Sequence, residues 1–131
     1  MFVDASAIVA VVAPEDDGPL FAARLEVATR VQTSALAVYE AVLGISRRRE
    51  VSVSDAEYAV STFLTNCRAE IVPITPEIGH SALAAFARYG RGQHPARFNM
   101  GDCFAYACAR TLGVPLLYKG DDFAQTDVAL G

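Results

Sequence analysis

A complete helix-to-strand unit lies in the last third of the chain, with the sequence NMGDCFAYACARTLGVPLLYKGDDF at residues 99–123. Asn99 offers a side-chain cap for a helix that runs to Leu112, and Gly113 is suited to ending that helix. The apolar segment from Pro115 to Tyr118 then has the character of a short buried strand. A helix that leads directly into a buried strand indicates an α/β protein.

The same alternation extends through the rest of the sequence. Strands are expected at Phe2–Asp4, Val31–Thr33 and Ile71–Ile74. Helices are expected from a Ser6 cap to Pro14, from Pro19 to Ala28, from Ala35 to Arg48 behind a Ser34 cap, from a Ser54–Glu57 capping box to Asn66, and from Pro76 to Tyr89. This order predicts a three-layer α/β/α fold, with a mainly parallel central sheet covered on both faces. Because no linker or repeat interrupts the pattern, we expect residues 1–131 to form one domain.

The composition is typical of a folded domain without a membrane span. Of the 131 residues, 53% are hydrophobic and 20% are charged, which excludes the disordered and low-complexity classes. No uncharged apolar run approaches the roughly eighteen residues of a membrane span, and the first residues lack the features of a signal peptide. Three cysteines without Cys-x-x-Cys spacing indicate reduced thiols. We therefore expect a cytoplasmic protein with neither a disulfide framework nor a zinc site.

Three acidic residues stand in apolar surroundings. Asp4, Glu40 and Asp102 are each the only acid in a largely apolar stretch of the chain. An ionised carboxylate in such surroundings is costly unless a cation or hydrogen bonds compensate its charge. These positions are therefore candidates for a functional site.

Each acid also has an ordinary structural explanation. Asp4 is placed to cap the first helix, and Asp102 lies in a first helical turn, where the helix dipole favours a negative charge. Asp121 and Asp122 are compatible with a surface turn. Glu40 has the weakest explanation of this kind, because it lies inside its helix with no basic residue nearby in sequence. The predicted elements nevertheless bring all five acids to one edge of the sheet, because they follow strands or lie near the starts of helices.

Clustered carboxylates repel one another unless a cation neutralises them. Oxygen ligands without His or Cys suit Mg²⁺ or Mn²⁺ rather than zinc. Such a site can activate water and stabilise charge on a phosphodiester. The net charge of −4 argues at first against a nucleic-acid partner, but setting aside four acids in the site leaves eleven acids to balance eleven Lys and Arg. The overall acidity therefore does not exclude RNA.

Two groups of basic residues are candidates for RNA contact. The triplet at residues 47–49 ends a helix, and a solvated helix end that complements the dipole is the favoured explanation for it. The loop from Gly90 to Phe98 carries Arg91, His94 and Arg97 between glycines, a spacing that can follow RNA phosphates. An ordinary surface loop is an equally good explanation of that segment.

Several segments resemble the PIN-domain ribonucleases, specifically the VapC-type toxins of bacterial toxin–antitoxin pairs. The matching segments are MFVDASAI at residues 1–8, AVYE at 37–40, YGRGQH at 89–94, NMGDCFAY at 99–106, LYKGDDF at 117–123 and TD at 126–127. The resemblance covers nearly the whole chain. It implies an endoribonuclease that depends on Mg²⁺ or Mn²⁺ and cuts tRNA or rRNA.

The resemblance also implies roles for individual residues. Asp4, Glu40 and Asp102 match the metal-binding acids of the family, and the fourth acid is either Asp121 or Asp122. The usual Asp-x-Asp-Phe pattern is compressed here, and Asp121 is preferred because it comes first after the strand. Ser6 matches a small hydroxyl residue of the family that orients either the first acid or a metal-bound water. Asn99 and Asp127 are expected to lie next to the metal-binding acids and to orient them.

Partners follow from the same resemblance. Toxins of this family are held inactive by an antitoxin lying across the active-site groove, and they usually form homodimers. The mean hydropathy of +0.28 fits a surface reserved for another protein. We expect the helices between Ala35 and Asn66 to present part of the antitoxin surface.

Two alternatives differ in class. A receiver-like signalling module would also carry a Mg²⁺-binding acidic pocket, and Lys119 lies where its essential lysine belongs. Against this alternative, the predicted third strand does not end on an Asp that could accept a phosphoryl group. The other alternative is a catalytically silent PIN scaffold that only binds its partner, although every acidic position is filled.

Overall fold

Four short strands and six helices alternate in a computed structural model that describes residues 1–129 and 131. In chain order the elements are β1 (Phe2–Val3), α1 (Ala5–Val12), α2 (Gly18–Val27), β2 (Gln32–Ser34), α3 (Ala35–Arg49), α4 (Val53–Asn66), β3 (Glu70–Val72), α5 (Pro76–Tyr89), α6 (Met100–Leu112) and β4 (Leu116–Leu117). Every predicted strand and helix has a counterpart, and the differences are confined to their ends.

The strands form one parallel sheet in the order β3-β2-β1-β4. Phe2 in β1 is opposite Gln32 of β2 on one side and Leu116 of β4 on the other. Because all four strands run in the same direction, their carboxyl ends lie at a single edge of the sheet. The chain segments after β1, β2 and β4 therefore start close together.

The hydrophobic core lies on both faces of the sheet. One buried cluster includes Phe2 and Leu116 with side chains of α5 and α6, and the other includes Val3 and Leu117 with side chains of α1 to α4. Consecutive residues of a strand point to opposite faces, so β1 and β4 each contribute to both clusters. Helices therefore cover the sheet on both sides, and the predicted three-layer α/β/α fold is confirmed.

The first helix begins at Ala5 and is capped by Asp4, whereas the sequence pattern predicted Ser6 as the cap. Asp4 Oδ2 accepts a hydrogen bond from Ser6 N at 3.0 Å, so the acid itself satisfies the helix end. The helix has eight residues and buries Ala7 and Ile8. Among residues 1–129 and 131, no helix combines the length and the apolar character needed to cross a membrane.

The fourth helix begins earlier than predicted. Ser52 Oγ accepts from Asp55 N at 3.0 Å, so Ser52 is the cap and the predicted Ser54–Glu57 capping box is wrong. The chain leaves α3 through Glu50, whose left-handed conformation (φ 53°) turns it sharply. After this turn the chain can enter α4 at Val53.

The third strand is shorter than predicted and starts one residue earlier, at Glu70. Its pairing with β2 runs from Gln32 opposite Glu70 to Ser34 opposite Val72. β2 ends at Ser34, which caps α3, and Pro73 has no N–H to continue the ladder. The apolar residue Ile74 therefore lies outside the strand.

Candidate active site

The candidate site lies at the carboxyl edge of the sheet. Asp4 follows β1 directly, and its backbone N donates to Leu117 O at 3.0 Å. Asp102 is in the first turn of α6, and Glu40 lies one and a half turns into α3. The loop that follows β4 carries the remaining acids of the predicted site.

Asp4 is buried and held by Ser6. Asp4 Oδ2 accepts from Ser6 N at 3.0 Å and from Ser6 Oγ at 2.6 Å. Ser6 Oγ in turn accepts from Lys119 N at 2.9 Å, which ties the start of α1 to the segment after β4. Burial raises the pKa of Asp4 in spite of the hydrogen bonds from Ser6, and the charge of Asp122 raises it further. The predicted contact between Ser6 and the first acid is therefore present.

Asp102 and Asn99 cap one another. Asn99 Oδ1 accepts from Asp102 N at 2.9 Å, and Asp102 Oδ2 accepts from Asn99 N at 3.0 Å. Burial raises the pKa of Asp102 to about 6, with the charges of Asp4 and Asp122 adding to the effect, whereas the Asn99 N–H and the charge of Arg91 oppose it. The structural explanation of Asp102 as a helix-start residue is thus correct, and it leaves Oδ1 free of this capping pair.

Glu40 lies against the start of α6. A Cβ placed on Gly101 would overlap both carboxylate oxygens of Glu40, so only a glycine leaves room for this side chain. Burial raises the pKa of Glu40 to about 7, and the charges of Asp4 and Asp102 raise it further. The sequence analysis missed Gly101, whose one signal is a glycine in the first turn of a helix, next to an acid.

The acids are mutually repulsive, and their charge is poorly compensated. In the part of the chain that the structure describes, no lysine or arginine forms an ion pair with Asp4, Glu40 or Asp102. Within the same residues, no three acid, His or Cys side chains are arranged closely enough to hold a metal ion as they stand. Carboxylates of like charge repel one another, so without a cation they do not come close enough together to share a metal ion.

The donor set fits a hard divalent cation. The groups that face one another at this edge are carboxylates. Neither of the two histidines that the structure describes is among the residues that shift the pKa values of these acids. Cys103 is next to Asp102 in sequence, but burial and then the charge of Asp102 raise the pKa of its thiol to about 11, so it stays protonated near neutral pH. Carboxylate oxygens without imidazole or thiolate are suited to Mg²⁺ or Mn²⁺.

Asp122, rather than the preferred Asp121, is the acid after β4 that acts on the others. The charge of Asp122 raises the pKa values of Asp4 and Asp102. The charge of Asp121 acts instead on the phenol of Tyr118, whose pKa it helps burial to raise. The structure therefore favours Asp122 over Asp121 as the fourth acid.

Asp127 does not orient the acids, and this prediction is wrong. Its carboxylate accepts hydrogen bonds from the hydroxyls of Tyr106 and Tyr89. It also forms ion pairs with Arg88 at 3.4 Å and with Arg110 at 3.8 Å. These partners lie on α5 and α6 beyond the first turn of α6, so Asp127 fastens the chain after β4 to the two helices.

The basic loop contributes one charge beside the acids. Arg91 is exposed, and its charge lowers the pKa of Asp102, which places it near the site. His94 Nδ1 accepts from Ala96 N at 3.0 Å, and its ring packs edge-on against Tyr89. Arg97 is exposed and has a left-handed backbone (φ 54°). RNA contact by these three residues remains a prediction.

The receiver-like alternative does not fit this arrangement. Lys119 Nζ lies 2.7 Å from Glu15 Oε2 and 3.0 Å from Asp17 Oδ1, and these two carboxylates therefore hold its charge. β3 ends at Val72 and is followed by Pro73, so its carboxyl end has no aspartate to accept a phosphoryl group.

Known proteins resemble this chain along nearly its whole length. The model of the PIN domain family matches residues 1–129. A VapC ribonuclease of Rhizobium meliloti (strain 1021) is 39% identical over 139 residues, which cover 97% of this chain and 98% of that protein. Ribonuclease VapC30 of Mycobacterium tuberculosis is 34% identical over 135 residues, which cover 98% of this chain and 96% of that protein.

Solved structures share the fold. The crystal structure of VapC20 from Mycobacterium tuberculosis, described as a sarcin–ricin loop cleaving toxin, has a TM-score of 0.78 at 19% identity and covers 98% of this chain and 95% of its own. A toxin–antitoxin complex from Klebsiella pneumoniae has a TM-score of 0.70 at 15% identity, over 99% and 95% of the two chains. From the family model and the identities above 30% over nearly complete chains, we conclude that this chain belongs to the PIN-domain family, among its VapC-type ribonucleases.

Proposed function

We propose that the protein is a divalent-metal-dependent endoribonuclease that acts as the toxin of a toxin–antitoxin pair. The proposed site is a group of four carboxylates, from Asp4, Glu40, Asp102 and Asp122. The observation that carries the proposal is their placement at one edge of the sheet, where burial and neighbouring acids raise the pKa values of Asp4, Glu40 and Asp102. Such an arrangement costs stability by itself, so it is expected to have a cationic ligand. Relatives named as VapC ribonucleases support RNA as the substrate.

In this proposal the four carboxylates hold Mg²⁺ or Mn²⁺. An ion held there would provide the means to activate a water and to neutralise charge on the phosphodiester. Ser6 fixes Asp4 through two hydrogen bonds to one oxygen, and Asn99 fixes Asp102 through the reciprocal cap. Gly101 leaves the space in which the Glu40 carboxylate sits. These contacts set the positions of the acids before a ligand arrives.

RNA is proposed to bind along the Gly90–Phe98 loop. The charge of Arg91 acts on Asp102, so a phosphate held by Arg91 would lie near the acids. Arg97 and His94 extend the same loop. VapC20 is described as a sarcin–ricin loop cleaving toxin. For this chain both rRNA and tRNA are retained as substrate classes, because RNA choice depends on the shape of the groove and of the RNA loop.

The proposed protein partners are an antitoxin and a second copy of the chain. Helices α3 and α4 expose the side chains of Tyr39, Val53 and Tyr58, which an antitoxin could cover. Tyr58→Asp and Val53→Asp are expected to prevent co-purification with the antitoxin, and unchanged co-purification would remove these helices from the interface. Light scattering of the purified toxin tests the homodimer.

Cleavage of total bacterial RNA by antitoxin-free protein tests the proposed activity. We expect discrete fragments with Mg²⁺ or Mn²⁺ and none with EDTA, and mapping of the fragment ends would identify the target. Cleavage that persists in EDTA would exclude a metal-dependent site. A silent scaffold predicts instead that Asp102→Asn leaves growth arrest by the overexpressed protein unchanged.

Gly101→Ala is expected to lower the cleavage rate about 10- to 100-fold while the protein stays folded, the range typical of a disturbed ligand position. The added methyl group displaces the Glu40 carboxylate, whereas alanine is tolerated well by a helix. Cleavage rates and thermal melting measure the two effects. Gly79→Ala on α5 is the matched control, because a Cβ there meets no atom within 4 Å. A wild-type rate for Gly101→Ala would contradict the placement of Glu40.

Asp122→Asn and Asp121→Asn distinguish the two candidate fourth acids. Asp122→Asn is expected to reduce cleavage by at least about 10-fold, because it removes a group that faces Asp4 and Asp102. Asp121→Asn is expected to stay within about threefold of the wild type. Initial rates at saturating Mn²⁺ provide the comparison. The reverse order of effects would restore Asp121 as the fourth acid.

A further inference from the structure

Glu15 is a largely buried acid outside the group of four. It lies in the turn between α1 and α2, and its side chain is 15% exposed. Glu15 Oε2 lies 2.7 Å from Arg48 Nη1 and 2.7 Å from Lys119 Nζ. One carboxylate oxygen therefore joins three segments that are distant in sequence.

Each of these three segments carries one of the proposed metal-binding acids. Glu15 follows α1, which Asp4 caps. Arg48 is two turns beyond Glu40 on α3, and Lys119 begins the segment that leads to Asp122. A second tie lies beside the first, because Lys119 N donates to Ser6 Oγ and Ser6 Oγ donates to Asp4 Oδ2.

These ties oppose the repulsion among the acids. Asp4 caps α1, Asp102 lies in the first turn of α6 and Asp122 follows β4, so without a cation their like charges push the segment after β4 away from α1 and α6. The salt bridge of Glu15 with Lys119 pulls the start of that segment towards α1. The two cations of this tie are partly exposed, 53% for Arg48 and 35% for Lys119, so water screens the pairs and they contribute little to overall stability. The tie therefore affects the geometry of the site more than the melting temperature.

We propose that Glu15 is a positioning residue, which keeps α1, α3 and the segment after β4 at the separation that lets their acids share one cation. The proposal rests on the proposed metal-dependent nuclease. Glu15 acts through Lys119 and Arg48, and it contacts neither the cation nor RNA. No local pattern indicates this role, because Glu15 belongs to the acidic run Glu15-Asp16-Asp17 that is typical of a surface turn.

The test compares Glu15→Gln with Glu70→Gln. Glu70 also forms an ion pair, with Arg30 at 2.7 Å, but this pair is exposed and lies at the amino ends of β2 and β3. For Glu15→Gln we expect a kcat about 10-fold lower, a KM for RNA within about twofold of the wild type, and about 10-fold weaker Mn²⁺ binding by electron paramagnetic resonance. Glu70→Gln is expected to match the wild type in all three, and both variants are expected to melt near the wild-type temperature.

Lys119→Met removes the same tie from the other side and supplies a second test. It is expected to lower kcat and Mn²⁺ binding in the same direction as Glu15→Gln, and the double variant is expected to lose less than the sum of the two single losses, because both changes break the contact between Glu15 and Lys119. Equal kcat and Mn²⁺ binding for Glu15→Gln and Glu70→Gln, in a wild type that cuts RNA and binds Mn²⁺, would overturn the positioning role alone. A wild type that neither cuts RNA nor binds Mn²⁺ would overturn the proposed function and the positioning role with it.

Discussion

Glu40→Gln is expected to lower RNA cleavage at least about 100-fold and, at the same time, to raise the stability of the metal-free protein. The loss of activity follows because the amide removes a charged oxygen ligand from the proposed cation site. The gain in stability follows because Glu40 is repelled by Asp4 and Asp102 and has its pKa raised to about 7, first of all by burial. A neutral side chain of the same length keeps the packing against Gly101 without the charge.

Opposite changes in activity and stability distinguish a ligand from a structural residue. Cleavage rates with Mn²⁺ and thermal melting in EDTA measure the two quantities on the same preparations. Glu57→Gln is the matched control, because Glu57 is an exposed acid on α4. If Glu40→Gln lowered both the rate and the melting temperature in EDTA, Glu40 would be a structural residue and the proposed site would lose its central acid.

The metal-free protein is expected to lose stability as the pH rises from about 5 to about 8. The pKa of Glu40 is raised from 4.5 to about 7 and that of Asp102 from 3.8 to about 6, both chiefly by burial. The folded protein therefore binds more protons than the unfolded chain between these values, and its stability is lost as the pH rises through the folded-state pKa values. Because both groups are partly exposed, the expected loss in the free energy of unfolding is discounted to roughly 1–3 kcal/mol. This corresponds to a decrease of several degrees in melting temperature.

A divalent cation is expected to reverse this loss. At pH 8 the carboxylates are ionised, so Mn²⁺ or Mg²⁺ raises the melting temperature by binding the folded state. At pH 5 protons compete for the same oxygens, and the same concentration of cation gives a smaller shift. Asp127 has a pKa lowered chiefly by its hydrogen bond from Tyr106, so its contribution is lost only below its usual range, outside this window.

Melting curves at pH 5 and pH 8, each with EDTA or with Mn²⁺, measure the effect. Glu40→Gln serves as the control, because the part of the pH dependence that belongs to this carboxyl, about half of it, is expected to disappear. Equal stability of the metal-free protein at both pH values would show that the acids do not repel one another as the structure implies. If Mn²⁺ raised the melting temperature equally at both pH values, the cation would bind at a site whose acids do not have raised pKa values.

Local features of the chain were readable from the sequence. Ser34, Thr75 and Asn99 cap their helices as the pattern predicts, through hydrogen bonds that span three residues. Asp4 and Asp102 could be assigned to the carboxyl edge for the same reason, since each is fixed by the strand end or helix start beside it. Their structural explanations were also correct, because both residues form helix caps. Both residues also face other acids, so the two explanations hold together.

Choices between neighbouring residues were not readable in this way. Ser52 and Ser54 both offer a capping hydroxyl, and the left-handed turn at Glu50 leads the chain to the first of them. Asp121 and Asp122 both follow the last strand, and only the path of the chain after β4 makes Asp122 the one whose charge acts on Asp4 and Asp102. The pattern of residue types fits either choice equally well. The direction of the backbone differs between the two choices, and it is not visible in that pattern.

The sequence by itself determined the layered fold and the acids of the candidate site, because strand ends, helix caps and hydrophobic periodicity depend on residues that are close together in the chain. Only the tertiary structure decided that Glu40 rests against Gly101, that Asp127 joins Tyr106 rather than the acids, and that Glu15 holds Lys119, 104 residues away. Such contacts arise when separate elements pack, and their partners carry no common local signal. The candidate site therefore takes its residue types from local sequence and its geometry from contacts between distant segments.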